Sequence, residues 1–232
     1  MKIIHRLLGI LCAFALMTAL LITSVEAVAY WTPGYYEKEY TKYHVLDEVD
    51  MEMDDLLYVT REMMAYLRGR RADLHITATV SGEPREFFNT REIAHMEDVR
   101  GLFLGGLALR RICLATIAAC IALLFALKAD VKKLLPGMLC IGTALFFGVL
   151  AALAAVISTD FTKYFVLFHK IFFRNDLWIL DPSTDLLINI VPEPFFVDTA
   201  ARIAITYGIS VILVFIACIL WLRYLKCGKK PA

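Results

Sequence analysis

Long apolar runs alternate with charged, aromatic-rich stretches along this chain. The first run covers residues 7–30, is broken only by Glu26 and comes after Lys2, His5 and Arg6. Three more cover 102–127, 134–157 and 203–222. Each approaches or exceeds the roughly 20 residues that a helix needs to cross a bilayer. The pattern predicts four transmembrane helices. In the second run Arg110-Arg111 falls about two turns from the start, where charge is costly unless it snorkels, pairs or lines a wet cavity. The alternative there is a surface helix to Leu109 and then a shorter span from Ile112. Pro136 is expected to open the third span. The first run also has marks of a secretory signal: a basic start and an Ala27-Val28-Ala29 stretch. Its uninterrupted part, Leu7 to Val25, exceeds the usual signal core of about 7–15 residues, so an uncleaved transmembrane helix is expected.

Between the spans the periodicity changes. Residues 31–100 form the main polar segment. Trp31, Tyr35, Tyr36 and Tyr40 open it, as interfacial aromatics do. Val49 to Leu67 has helical spacing of Met53, Leu56, Leu57, Met63, Met64 and Leu67. Leu74 to Val80 is β-prone, Ser81-Gly82-Glu83-Pro84 is a turn cluster, and Arg85 to Phe88 is expected to return as a second strand. Asn89 and Glu92 then form a capping box before a short charged helix containing His95. In the other polar segment, residues 158–202, Thr159 or Asp160 caps a helix rich in phenylalanine. Lys163, Lys170 and Arg174 interrupt it, which predicts an interfacial rather than a spanning element. Asp181-Pro182 reads as the start of a further helix, and Pro192-Glu193-Pro194 as its end. The fold class is therefore mainly α: a polytopic membrane protein with four transmembrane helices and a small α+β extracytoplasmic domain.

Composition agrees with membrane residence: 59% of the residues are hydrophobic, and mean hydropathy is +0.65. A net charge of +1 with no basic field argues against nucleic acid as a partner and leaves membrane lipids as the natural surroundings. Charge placement sets orientation. Nine Lys/Arg crowd into three short pieces: the N-terminus, the Lys128–Lys133 turn and the tail after Leu222. The 31–100 segment also holds nine, diluted among fifteen carboxylates. The positive-inside rule then places both termini in the cytoplasm and both histidine segments outside. Five of the six cysteines, Cys12, Cys113, Cys120, Cys140 and Cys218, lie in apolar runs and Cys227 in the basic tail. That distribution offers neither a disulfide framework nor a zinc site.

A histidine of near-neutral pKa can take and return a proton, and a nearby carboxylate can fix its tautomer. His95 has Glu92 and Asp98 within a turn on its own helix. His169 precedes Asn175 and Asp176 by about two turns. Asn175 has the chemistry to orient a histidine or donate to an oxyanion, and Trp178 to line a site or anchor at the interface. Arg110 and Arg111 can meet a lipid phosphate or an ester carbonyl, or simply snorkel. There is no GxSxG, HExxH or P-loop, and neither histidine has the aspartate five residues on that glycerolipid acyltransferases carry. A site facing outward has no ATP or acyl-CoA, so the chemistry must run downhill without a cofactor or metal.

EIAHMEDVRGLF, at 92–103, and FHKIFFRNDLWILDPSTDLLINIVPEPFF, at 168–196, resemble the lipoprotein intramolecular transacylase family of Gram-positive bacteria, with likeness over nearly the whole chain. The resemblance implies transfer of the sn-2 acyl chain of a lipoprotein's diacylglyceryl-cysteine to the α-amino group of that cysteine, giving a lyso-form lipoprotein. It also implies that His95 and His169 are the functional histidines and that diacylglyceryl-modified lipoproteins are the partners. Two other readings compete: an outward-facing lipid or protein hydrolase, and a non-catalytic receptor or scaffold.

Overall fold

The protein is described from a computed structural model that covers residues 2–227; the tail lysines Lys229 and Lys230 lie outside the described residues. Four helices are long and apolar enough to cross a membrane: α1 (Lys2–Glu26), extended by a π-helical turn over Ala27–Trp31, α5 (Thr90–Ala126), α6 (Val131–Ile157) and α9 (Glu193–Cys227). The chain divides into two compact units, one of residues 2–26, 107–159 and 202–227, the other of Ala27–Gly106 and Asp160–Ala201.

The first unit is built from apolar helix. Large side chains such as Phe125, Val149, Ile205 and Leu213 point outward and exposed, the surface expected of helices that are solvated by lipid. Small residues set the closest approach between α1 and α6. A Cβ on Gly142 would lie 2.5 Å from that of Ala13, and one on Gly9 would lie 2.6 Å from Met138 Cγ. Backbones draw near where side chains vanish, the usual basis of helix association in lipid. Met17, Tyr207 and Val211 form one buried cluster with Phe146 and Leu150 packed against it. Pro136 sits inside α6 rather than at its start, because Val131 already begins the helix directly after a turn in which Lys128 takes φ +53°.

The second unit has a core of its own, with Tyr40, Leu56, Leu74, Ile76, Phe87 and Phe88 almost fully buried. Its helices α2 (Tyr35–Lys42), α3 (Val45–Val49) and α4 (Met53–Leu67) precede the hairpin β1 (Thr77–Val80) and β2 (Glu83–Glu86). The helix expected from Val49 starts instead at Met53, because Asp50 is left-handed at φ +49° and breaks it. The hairpin turns on two residues, Ser81 (φ +52°) and Gly82 (φ +79°). Two consecutive positive φ values match the right-handed twist of a tight hairpin, so strand pairing starts at Glu83 and the return strand sits nearer the turn than 85–88. Ala78 and Val80 face the core from β1, while β2 is exposed throughout.

Tyr35 and Tyr40 are core residues rather than interfacial anchors. Tyr40 exchanges a 2.7 Å hydrogen bond with Thr60, and the Tyr36 and Tyr40 rings stack on Phe195. The N-terminal turns of α9 close this unit, with Asp198 accepting from Tyr43 Oη at 2.8 Å and pairing with Lys42. The Pro192–Pro194 stretch follows directly on the end of the preceding helix, as expected, and also begins α9. Asp181-Pro182 instead forms a turn, and the short helix α8 (Leu186–Ile190) begins four residues after Pro182. Before that turn runs α7 (Phe161–Phe172), whose first turn is capped by Asp160 Oδ1 accepting from Lys163 N at 3.0 Å.

Candidate active site

Both singled-out histidines belong to the second unit, and their rings meet there with centroids 6.3 Å apart and planes inclined by 33°. His95 stands in the second turn of α5. The capping box that starts this helix forms as the sequence predicts: Asn89 Oδ1 accepts from Arg91 N at 2.9 Å and Glu92 N at 3.0 Å, and Glu92 Oε2 accepts from Asn89 N at 2.6 Å. The other Glu92 oxygen accepts from Leu187 N at 2.6 Å, in the first turn of α8. Asn89 Nδ2 donates to Asp185 Oδ1 at 2.6 Å, and Asp185 Oδ2 accepts from Asp181 N at 2.7 Å. Glu92 is therefore a clamp between α5 and α8, with both oxygens engaged away from His95.

His169 lies in the last turn of α7, and its Nδ1 is 2.7 Å from the carbonyl oxygen of Phe165. A carbonyl only accepts, so Nδ1 carries the proton and Nε2 presents a lone pair. Aromatic rings surround the imidazole: Trp178 at 5.0 Å, Phe165 at 4.3 Å and Phe173 at 5.5 Å between centroids. Phe173 also meets His95 edge-on at 5.3 Å, so one ring touches both histidines.

The 174–178 loop is held against α5 on both sides of His95. Arg91, one turn before it, donates to the backbone oxygen of Asp176, and Asp98, nearly one turn after it, accepts from Asn175 Nδ2 at 2.8 Å. Asn175 is thus turned toward Asp98, and Asp176 contributes its backbone. Neither Glu92 nor Asp98 makes a hydrogen bond to His95, whose Nδ1 is buried without a partner among the described residues. Asp98 acts on it only through its charge.

Both imidazoles are biased toward the neutral form. Burial pushes His95 down to about 4, helped by the neighbouring His169 and opposed by Asp98. Burial also lowers His169, partly offset because the Phe165 carbonyl favours its protonated form. Burial raises Glu92 even though two backbone N–H groups stabilise its charge. With Nδ1 tethered, His169 has an available acceptor at Nε2. His95 keeps an unsatisfied Nδ1, the kind of orphan that a bound polar group would satisfy.

Arg110 and Arg111 belong to the first unit. Arg110 pairs with Glu26, which is 4% exposed, and Arg111 is exposed. Glu26 is the one acidic residue in the first apolar run, so the sequence contained the signal for this pair: opposite charges, each isolated in a span. Phe165 and Phe173 were not singled out from sequence. A histidine four residues after a helical carbonyl is a faint signal for the first, and nothing local distinguishes the second.

The fold defines a class, a multi-pass α-helical membrane protein carrying a small unit with a two-stranded sheet. The chain belongs to the lipoprotein intramolecular transacylase family, whose model matches residues 10–196. It is thus an enzyme that moves an acyl group within a lipoprotein. Its fold is that of three in meso structures of the membrane-integral lipoprotein intramolecular transacylase Lit from Bacillus cereus. One is 24% identical, with a TM-score of 0.76 over 99% of each chain. A variant with one histidine changed to arginine is 22% identical, with a TM-score of 0.77 over 97% of this chain and 95% of that one. Another, with a histidine changed to alanine, is 22% identical, with a TM-score of 0.76 over 96% of each. No curated protein sequence matches the chain.

Proposed function

We propose that His95 and His169 carry the acyl transfer together, His169 as the proton acceptor and donor and His95 as a hydrogen-bond donor to the oxyanion, on the extracytoplasmic side of the membrane with both termini in the cytoplasm. The substrate is a lipoprotein whose N-terminal cysteine bears a diacylglyceryl group, and the sn-2 acyl chain moves to the α-amino nitrogen of the same cysteine. Amine and ester belong to one molecule, so holding them together supplies the effective concentration and no enzyme nucleophile is required. The neutral amine attacks the ester carbonyl carbon, and His169 Nε2 takes the proton released from nitrogen. As the carbon–oxygen bond breaks, the His169 imidazolium returns that proton from Nε2 to the glycerol 2-oxygen. The products are an amide and a free hydroxyl, with no net change in protons, and ester-to-amide conversion runs downhill without a cofactor.

The observation that carries this reading is the pair itself: two buried, neutral-biased imidazoles whose ring centroids lie 6.3 Å apart, one with its tautomer fixed. His95, whose pKa burial pushes down to about 4, suits a hydrogen-bonding role toward the developing oxyanion better than proton storage. The solved Bacillus cereus variants altered at a histidine show that one histidine of that protein has been a target of substitution. The test is to express the chain in a host that lacks lipoprotein N-acylation and to take mass spectra of lipoprotein N-terminal peptides. An N-acyl, S-monoacylglyceryl cysteine is expected. Free fatty acid or a cleaved protein would indicate a hydrolase. An unchanged free amine, with the protein verified in the membrane, would favour a receptor or scaffold.

A further inference from the structure

One side of α7 carries a groove whose lining includes neither histidine. Two clefts along it share Val166 and Lys170. The larger, about 490 Å³, continues past Phe173 to Arg174, Trp178 and Ile179; the smaller, about 350 Å³, runs between Lys163 and Leu167. The floor is apolar and the rim is cationic. Lys163 and Lys170 are spaced about two helical turns apart and so share a face, and Arg174, past the end of the helix, lines the larger cleft with Lys170. Among the described residues none of these three cations is in an ion pair; Lys163 only approaches the Tyr164 ring, at 5.7 Å. Asp176 is the one carboxylate in the lining, a single negative charge against the three cations.

The neighbouring face of the same helix is unsuited to water: Leu167, Phe168, Ile171 and Phe172 are 46%, 44%, 65% and 51% exposed. The chain also ties this helix closely to a span. Phe161 comes four residues after the end of α6 at Ile157, a reach of at most about 14 Å. An amphipathic helix joined to a span by so short a linker, with apolar side chains outward and lysines along the edge, has the form of an interfacial helix.

We propose that this groove binds an anionic membrane phospholipid. Lys170 and Arg174 take the phosphate, the guanidinium as a fork and the ammonium as a point charge, and the lipid's apolar part lies along Val166, Leu167, Phe173 and Ile179. Three unpaired cations select charge, and the apolar floor selects a lipid over a soluble phosphate. Because Phe173 and Trp178 wall both this groove and the His169 ring, an occupied groove buttresses the aromatic surround of the site from outside.

The experiment uses the full chain, purified in detergent, with native mass spectrometry of retained lipid. Phosphatidylglycerol is compared with phosphatidylcholine and with glycerol phosphate, for the wild type and for Lys170→Gln/Arg174→Gln. The wild type is expected to retain phosphatidylglycerol about ten-fold over phosphatidylcholine at low ionic strength, a preference that weakens with salt. The double variant should fall near parity, while Lys170→Arg/Arg174→Lys keeps the preference. Thermal unfolding of each variant checks that these exposed substitutions leave the fold intact. Equal retention of the two lipids by the wild type overturns the proposal, as does an undiminished preference in the double variant. Displacement of the lipid by glycerol phosphate or by an acidic peptide at comparable concentration also overturns it. The readout is binding, so it stands or falls independently of the acyl-transfer reading.

Discussion

The two histidines differ less in their own chemistry than in what holds them. His169 is oriented by a backbone carbonyl that no substitution at Phe165 removes, whereas His95 has an open Nδ1. His169→Asn is expected to lower the rate of N-acylation by about 10²–10⁴-fold, the usual worth of a positioned acid–base group, and His95→Asn by about 10²–10³-fold, that of an oxyanion donor, as measured by mass spectrometry of the lipoprotein product. The sign of the shifts sets the pH profile. A base must be neutral to act, and burial lowers His169 below its ordinary value, so protonation of His169 limits the rate only as pH falls below about 6.5. The substrate amine, with a pKa of about 7.7–8.0, adds a rise up to about pH 8. A rate that already declines between pH 7 and 8 would contradict the assignment. Glu92 makes a different prediction. Its removal in Glu92→Ala leaves two backbone N–H groups without their acceptor, and the expected loss of stability is about 2–3 kcal/mol, read by thermal unfolding of the full chain. Glu92→Gln should retain part of it, because one amide oxygen still accepts.

Among elements, the α1–α6 pair depends on the smallest residues. Gly142→Ala puts a methyl group 2.5 Å from the Ala13 Cβ, a separation that real side chains do not tolerate, so the helices must part. The expected cost is about 1–3 kcal/mol, the range for overpacking a close contact. The clash is a pairwise one, so Ala13→Gly in the same chain should recover most of the loss. A double-mutant cycle on unfolding in detergent measures the coupling, and additive single effects would show that the strain lies elsewhere. The α5 N-terminus shows the same economy of means. Asn89 and Glu92 start the helix, and the same two side chains also bind the α8 region, so helix initiation and placement of His95 relative to its neighbours are one network.

At the scale of the whole molecule, the positive-inside reading makes a claim about sidedness. In a cysteine-free background, Ser81→Cys at the hairpin turn should react with a membrane-impermeant maleimide in intact cells. Lys128→Cys, between α5 and α6, should react only after the membrane is opened. The reverse pattern would put the histidine pair on the cytoplasmic side and remove the proposed lipoprotein substrate from its reach.

The spans, the capping box before His95 and the hairpin's turn residues were legible in the sequence, because each is set by local chemistry: apolar length, side-chain oxygens near free N–H groups, and a Ser-Gly pair able to take positive φ. Family motifs around His95 and His169 were legible for a related reason, since both fall in contiguous stretches. Other features needed distant parts of the chain in one place. Glu92 and Asp98 read as partners of His95 on a helical wheel, yet Glu92 serves Leu187 and Asp98 serves Asn175, both far along the chain. Arg110 read as a lipid contact or a snorkelling charge, and its pair with Glu26 joins residues 84 positions apart. Tyr35 and Tyr40 read as interface aromatics until α9 supplied Phe195 and Thr199 to bury them. Spacing fixes what a side chain can reach along its own element; competition among all the groups that folding brings near decides what it binds.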